Sequence, residues 1–146
     1  MDALDLGDAL EQWLQQKAKQ TANMSIVDKA DIVNAGAKVF EDALREETNK
    51  KHRSRHNDRV FGHAADHIGR WQPKDGASGI RFGSYIVGWD NKYHAMNVLR
   101  INDGTKKLEA DHFVTNLRHD DSVRARILRA ERAKYEQIIA KKKSGD

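Results

Sequence analysis

Six apolar residues, Ile26, Ala30, Val33, Ala37, Phe40 and Leu44, step by four, three, four, three and four through the first third of the chain. A 3.6-residue period brings such positions onto one face of a helix, and a run sustained over five turns does not fit a strand. The spacing predicts a helix over residues 26–48, opened by Ser25 as N-cap with Asp28 three residues on. Its apolar stripe is expected to face the core. The alternatives are a helix that stays exposed until a partner covers it and, from the 4-3 spacing, a coiled-coil seam. Gly36 and the two alanines favour close packing against a sheet or helix instead.

The rest of the composition limits how much core this helix can join. Of 146 residues, 38% are hydrophobic and 33% charged, and the mean hydropathy is −0.83. Such a chain has a thin core, long solvated helices, or surface covered only on assembly. Its length suits one domain, residues 1–146. The domain divides into an N-terminal helical extension (1–23), a core (24–141) and a basic flexible tail (142–146). There is no cysteine, so neither a disulfide framework nor a thiolate metal site is expected. No apolar run approaches the ~18 residues of a membrane span, and the acidic start lacks a secretory signal's basic region. The expected setting is a cytoplasm, or an assembly built there. Charge is unevenly spread. Residues 1–48 hold five basic and ten acidic side chains, residues 49–110 twelve and six, and residues 111–146 nine and six. That asymmetry suits contact with nucleic acid, or head-to-tail contact between copies.

Before the main helix, Leu6, Leu10, Trp13 and Leu14 predict a short amphipathic helix within residues 3–19, broken by Thr21, Ala22 and Asn23. After it, residues 62–104 carry seven of the ten glycines and the only proline, Pro73. Alternation over 67–72 and 80–89 predicts two or three short antiparallel strands, with Gly83 and Gly88 marking bulges or a turn. Residues 73–79 read as loop. Trp71 and Trp89 are expected as core or interface anchors. Tyr93, Met96 and Leu99, extended by Arg100, fit a short helix face; a strand from Asn97 is the alternative. Asn102, Asp103, Gly104 and Thr105 form a turn, since Asn and Asp bond their own following backbone and Gly takes positive φ. Lys106 to Leu117 reads as a crossing segment that drops Leu108, Phe113 and Leu117 into the core. Asp120, Asp121 and Ser122 cap a last helix. Val123, Ile127, Ala130 and Ile138 form its apolar face, widened by Leu128, Tyr135 and Ile139. Arg124, Arg126, Arg129, Arg132 and Lys134 load the rest. The expected class is α+β, a small antiparallel sheet packed by a long N-terminal and a long C-terminal helix.

Residues 49–60 form a basic run with Lys50, Lys51, Arg53, Arg55 and Arg59. It has no interleaved aromatics for base stacking, so it reads as a solvated loop or frayed helix end, or as a phosphate- or partner-facing loop. His52 and His56, and His63 and His67, are spaced by four. On one continuous helix all four would share an arc of about 60° and could hold a transition metal. Asn57, Asp58 and Gly62 interrupt that helix, and the imidazoles read more simply as groups whose charge changes between about pH 5 and 8. Asp111-His112 and Asp66-His67 are the nearest approach to acid–base pairs. Adjacent residues rarely face each other, and no nucleophile accompanies them. No catalytic residue, metal or cofactor is assigned.

Residues 93–113, YHAMNVLRINDGTKKLEADHF, resemble the head–tail joining and tail-completion proteins of tailed bacteriophages. The matching residues are Tyr93, Val98, Leu99, Gly104, Thr105 and Phe113, followed by the helix from Asp121. INDGTKKLEADHFVTNLR looks like the branch from phages with long, non-contractile tails, and NAGAKVFEDALREETNKKH looks like the family's long N-terminal helix. The resemblance covers residues 24–141. Asn102-Asp103 stands where many members have an acidic–aromatic pair, and Asp111-His112 where many have Arg-Pro. The resemblance implies a non-enzymatic structural protein of the virion neck, made in the host cytoplasm. It would form a ring, hexameric or else dodecameric, between the head connector or portal side and the tail terminator or tail tube. Packaged DNA would pass through its lumen without sequence-specific binding. Interface or turn roles fall on Tyr93, Asp103, Gly104, Thr105 and Phe113, and on the basic run. The rival reading is a DNA-binding protein that uses the arginine-rich last helix.

Overall fold

A computed structural model describes residues 6–16, 24–53, 55, 60–73 and 83–144. The fold is α+β. Its elements are α1 (Leu6–Gln16), α2 (Ile26–His52), one turn of 3-10 helix (Ala64–His67), β1 (Ile68–Trp71), β2 (Ile86–Trp89), α3 (Lys92–Asp103), α4 (Phe113–Arg118) and α5 (Asp121–Lys143).

The two long helices run antiparallel and make the most extensive contact in the molecule. Asp28 near the start of α2 pairs with Lys142 near the end of α5 at 3.0 Å. Each helix is capped as its sequence predicts: Ser25 accepts from the Asp28 N–H and Asp120 from the Val123 N–H. Two apolar clusters lie along the pair. One gathers Ala43, Leu44, Ile68, Leu117, Val123 and Ile127. The other holds Met24, Ile32, Tyr135, Ile138 and Ile139. Trp13 of α1 closes the second cluster, its ring edge-on to Tyr135 at 4.3 Å.

The predicted stripe of α2 is only partly the buried one. Ala30 and Leu44 are buried, but Ile26 is exposed, and Val33, Ala37 and Phe40 are half-covered. The covered face includes Ile32, Gly36, Glu41, Ala43 and Thr48, because the helix is flanked by α5 on one side and the sheet on the other. On α5 the buried row is Val123, Ile127, Glu131, Tyr135 and Ile138; Glu131 occupies the centre of a face expected to be apolar. Lys142 and Lys143 belong to the last turn of α5, so the helix continues into the segment expected as a flexible tail.

β1 and β2 form a two-stranded antiparallel sheet, with Ile68 opposite Trp89 and Trp71 opposite Ile86. Gly88 sits in register across from Gly69 and is neither a bulge nor a turn. Alternation sends Ile68 and Arg70 toward α2. The Arg70 guanidinium donates to Asn34 Oδ1 at 2.7 Å and to Glu41. Arg45 pairs with the other Glu41 oxygen at 3.4 Å and donates to the Ile68 carbonyl at 2.9 Å. This buried carboxylate is therefore fully partnered. Trp89 donates its indole N–H to the Ala64 carbonyl and packs on the first core, as an anchor should; Trp71 and Ile86 face outward. The loop expected over 73–79, past Pro73, and the strand positions Ile80 and Phe82 fall outside the described residues.

α3 is a helix, as expected, and the apolar face read from its sequence points outward. Tyr93, Met96 and Leu99 are exposed, while His94, Val98 and Asn102, each one turn apart, are buried. Asn102 does not serve a local turn. Its carbonyl oxygen accepts from the Val114 and Thr115 N–H groups at 3.0 and 3.1 Å, and its amide donates to Thr115 Oγ1 and Asp103. It thus ties the end of α3 to the open first turn of α4, where N–H groups lack helical partners. Gly104 ends α3 at φ 81°, and a Cβ there would lie 2.9 Å from the Ala110 nitrogen. Phe113 and Leu117 enter the core as expected; Leu108 stays exposed.

Asn102→Ala would leave two N–H groups without their acceptor, at about 1–3 kcal/mol each. We expect a loss of about 2–4 kcal/mol in urea unfolding. Gly104→Val, which meets both the positive φ and the Ala110 backbone, should destabilise at least as strongly.

Candidate functional site

The interface residues expected from sequence fall into two neighbouring groups. Asp103, Gly104 and Thr105 lie at the α3–α4 junction, where Thr105 Oγ1 accepts from the Lys107 and Leu108 N–H groups. Beneath it Phe113 is 1% exposed, so it supports the junction from the core and offers nothing to a partner. Tyr93 lies outside, stacked on Phe61 at 4.2 Å.

Lys50, Lys51 and Arg53 cluster at the end of α2. Lys50 is exposed. Lys51 pairs with Glu47 at 2.8 Å, and Arg53 bonds Asn49 and both Asp66 oxygens. Two of the three are thus engaged within the chain. Arg55 is exposed; Arg59 and His56 lie outside the described residues.

His52 and His67 do not share a helix, because α2 ends at His52 and His67 closes the 3-10 turn. Both of these meet a distant carboxylate. His52 Nε2 lies 2.9 Å from Asp111 Oδ2, off the line of a hydrogen bond, and its ring contacts Phe113 at 4.4 Å. His67 Nδ1 lies 3.2 Å from Asp90 and its ring stacks on His94. His94 in turn donates from Nε2 to the Phe61 carbonyl at 2.7 Å. No hydrogen bond joins either adjacent Asp–His pair among the described residues; the carboxylate contacts of His52 and His67 are to Asp111 and Asp90. Among the described residues, no group of three or more His, Asp or Glu side chains could hold a metal ion.

A different site emerges where α2 and α5 cross. Glu131 stands on α5 between buried Ile127 and Tyr135, and its side chain lies on Gly36 of α2. A Cβ at residue 36 would come within 2.8 Å of Glu131 Cγ and Cδ; the glycine makes room for the acid. Glu131 is 6% exposed, and its Oε2 has no hydrogen-bond partner among the described residues. Burial alone pushes its pKa up to about 7, since desolvation disfavours the charged form.

The carboxyl lies in the wall of a groove of about 480 Å³, a size typical of sites that take a ligand or an anchoring side chain. Val33, Ala37 and Phe40 line it from α2, Val87 and Trp89 from the sheet, Tyr85 from just before β2, and Val114 and Arg118 from α4. The half-covered part of the α2 stripe is therefore the groove wall. Neither the groove nor Glu131 was expected. The available signal was a glutamate at i+4 from Ile127 and i−4 from Tyr135, inside an otherwise apolar row.

The chain matches no family model, no curated protein and no solved structure with which it was compared.

The raised pKa has a stability consequence. Between pH 4.5 and about 7 the folded chain keeps a proton on Glu131 that the unfolded chain has released. Stability then falls as pH rises across that window, by about 3 kcal/mol in total, and levels off above it. Lys142 and Arg53 hold Asp28 and Asp66 below their ordinary range, which gives the opposite slope, a loss as pH falls through their lowered pKa values. Glu131→Gln should remove the slope above pH 4.5 and make the protein more stable than the parent at pH 8. Urea unfolding at pH 5, 6, 7 and 8 measures both.

Proposed function

We propose that this chain is a structural subunit of the bacteriophage neck, forming a ring that joins the head connector to the tail tube. The observation that carries the assembly part of this reading is the outward face of α3. Tyr93, Met96 and Leu99 are 46%, 41% and 50% exposed, and Phe61, itself exposed, extends the strip through its stack on Tyr93. With so few hydrophobic residues to spend on a core, a chain that turns a whole helix face outward is suited to burying it against another subunit. Single exposed leucines are ordinary; a contiguous aromatic and aliphatic strip on one helix is not.

The resemblance of residues 93–113 supplies the kind of assembly. Helix, sheet, Gly-Thr junction, buried Phe113 and long charged C-terminal helix follow in the order that resemblance implies. The acidic first third and basic middle of the sequence suit contact between unlike patches of neighbouring copies. In this reading the chain carries out no chemistry. Its partners are further copies of itself, the connector on one side and the terminator or tube on the other.

The rival reading, DNA binding through α5, has its own support. Arg126 and Arg129 are exposed, and neither has an ion pair among the described residues. The two readings separate in one set of measurements. We expect light scattering and electron microscopy of the purified protein, alone and with connectors, to show closed rings, hexameric by preference. A protein that stays monomeric with connectors, and binds duplex DNA with an affinity falling log-linearly in salt, would favour the rival.

A further inference from the structure

The groove at Glu131 and the outward face of α3 share no residue, and each holds what the other lacks. The groove offers an apolar wall, Glu131 with a buried Oε2 that has no partner among the described residues, and Arg118 at its α4 side. The helix face presents Tyr93, Met96 and Leu99, spaced by three along about 10 Å of helix. Arg100 and Asp103 follow one turn apart at its C-terminal end, both exposed. Arg100 has no ion pair among the described residues. We infer that α3 of one copy docks in the Glu131 groove of the next, with Arg100 against Glu131 and Asp103 against Arg118.

The complementarity is chemical at both levels. Met96 and Leu99 meet Val33, Phe40 and Trp89, so that two half-exposed apolar surfaces are covered at once. An acidic and a basic group on one side meet a basic and an acidic group on the other, which sets the register and disfavours the reversed one. A buried carboxyl with an unpaired oxygen is costly in the isolated subunit. An incoming guanidinium would supply its missing donors, in a site already partly desolvated. Because the two patches are different, the contact is heterologous and closes by rotation into a ring. The inference rests on the ring reading and names its seam.

Pairing with Arg100 requires the ionised carboxylate, so docking releases a proton. Association should then weaken as pH falls below about 7, by up to tenfold per unit. The titratable and charged groups that line the groove with Glu131 are Tyr85 beside the sheet and Arg118 of α4, while α2 lines it with Val33, Gly36, Ala37, Phe40 and Leu44.

The test uses the full chain, with self-association followed by sedimentation on dilution. Arg100→Ala changes an exposed side chain, and Glu131→Gln keeps the shape of the neutral acid, so both should fold. Each should weaken association at pH 8 by roughly tenfold or more, and the double variant should be little worse than the weaker single. Glu131→Gln should also lose the pH dependence. An equimolar mixture of the two single variants should recover one intact seam, between the groove of the Arg100→Ala copy and the Arg100 of the Glu131→Gln copy. That mixture should give dimers and no rings. Rings that form from both variants with parental stability would place the seam elsewhere and leave the ring reading standing. A parent that fails to associate under any condition, with or without connectors, would overturn both. A small organic amine retained in the groove by native mass spectrometry of the monomer would overturn the seam alone.

Discussion

Where α2 and α5 cross, a glycine faces a glutamate. Gly36 has no side chain, so Glu131 folds down onto the α2 backbone, with Oε1 turned toward it. On one side of this contact lies the cluster around Leu44 and Ile127, on the other the cluster around Ile32 and Tyr135. The two cores are thus continuous along the helix pair except for one buried acid between them. A leucine at residue 131 would join them and remove the desolvation cost. The glutamate costs stability above its ordinary pKa and opens onto a groove, which is the pattern of a group kept for something other than folding.

The second half of the chain hangs from this pair through two polar devices. Glu41, the other buried acid, is held by Arg70 and Arg45, and through them it fixes β1 on α2. Asn102 plays the corresponding part at the far end, since its oxygen accepts from the first turn of α4 while Gly104 turns the chain away. The contrast with Glu131 is instructive. Where a buried polar group serves the fold, its hydrogen bonds close within the chain. At Glu131, Oε2 finds no partner among the described residues.

Local chemistry was legible wherever neighbours along the chain decide the outcome. Ser25 and Asp120 cap their helices because a side-chain oxygen reaches the N–H three residues on. Gly104 ends α3 because only it accepts that φ without a Cβ clash. The two-strand sheet follows from alternation and from its short, β-branched and aromatic segments. The burial of faces was less legible. The α2 stripe was read as core because periodicity gives a face without saying what covers it. On α3 periodicity gave the face of Tyr93, Met96 and Leu99 without saying whether it closes, and it is His94, Val98 and Asn102 that are buried. His94 and Asn102 are tolerable inside because each finds a partner far along the chain, the Phe61 carbonyl and the α4 backbone.

The long helices with their caps, the short sheet, the Gly104 junction and the α+β class were therefore written in the sequence, since each depends on contacts within a few residues, whereas α4 forms where a crossing segment was expected. Tertiary structure alone decided which helix faces close, that His52 and His67 part into separate His–carboxylate contacts, and that a glutamate lies buried over a glycine ninety-five positions earlier in the chain. Those outcomes depend on what the crossing of α2 and α5 brings together, and desolvation and pairing at such a crossing are properties of the assembled neighbours rather than of any local pattern.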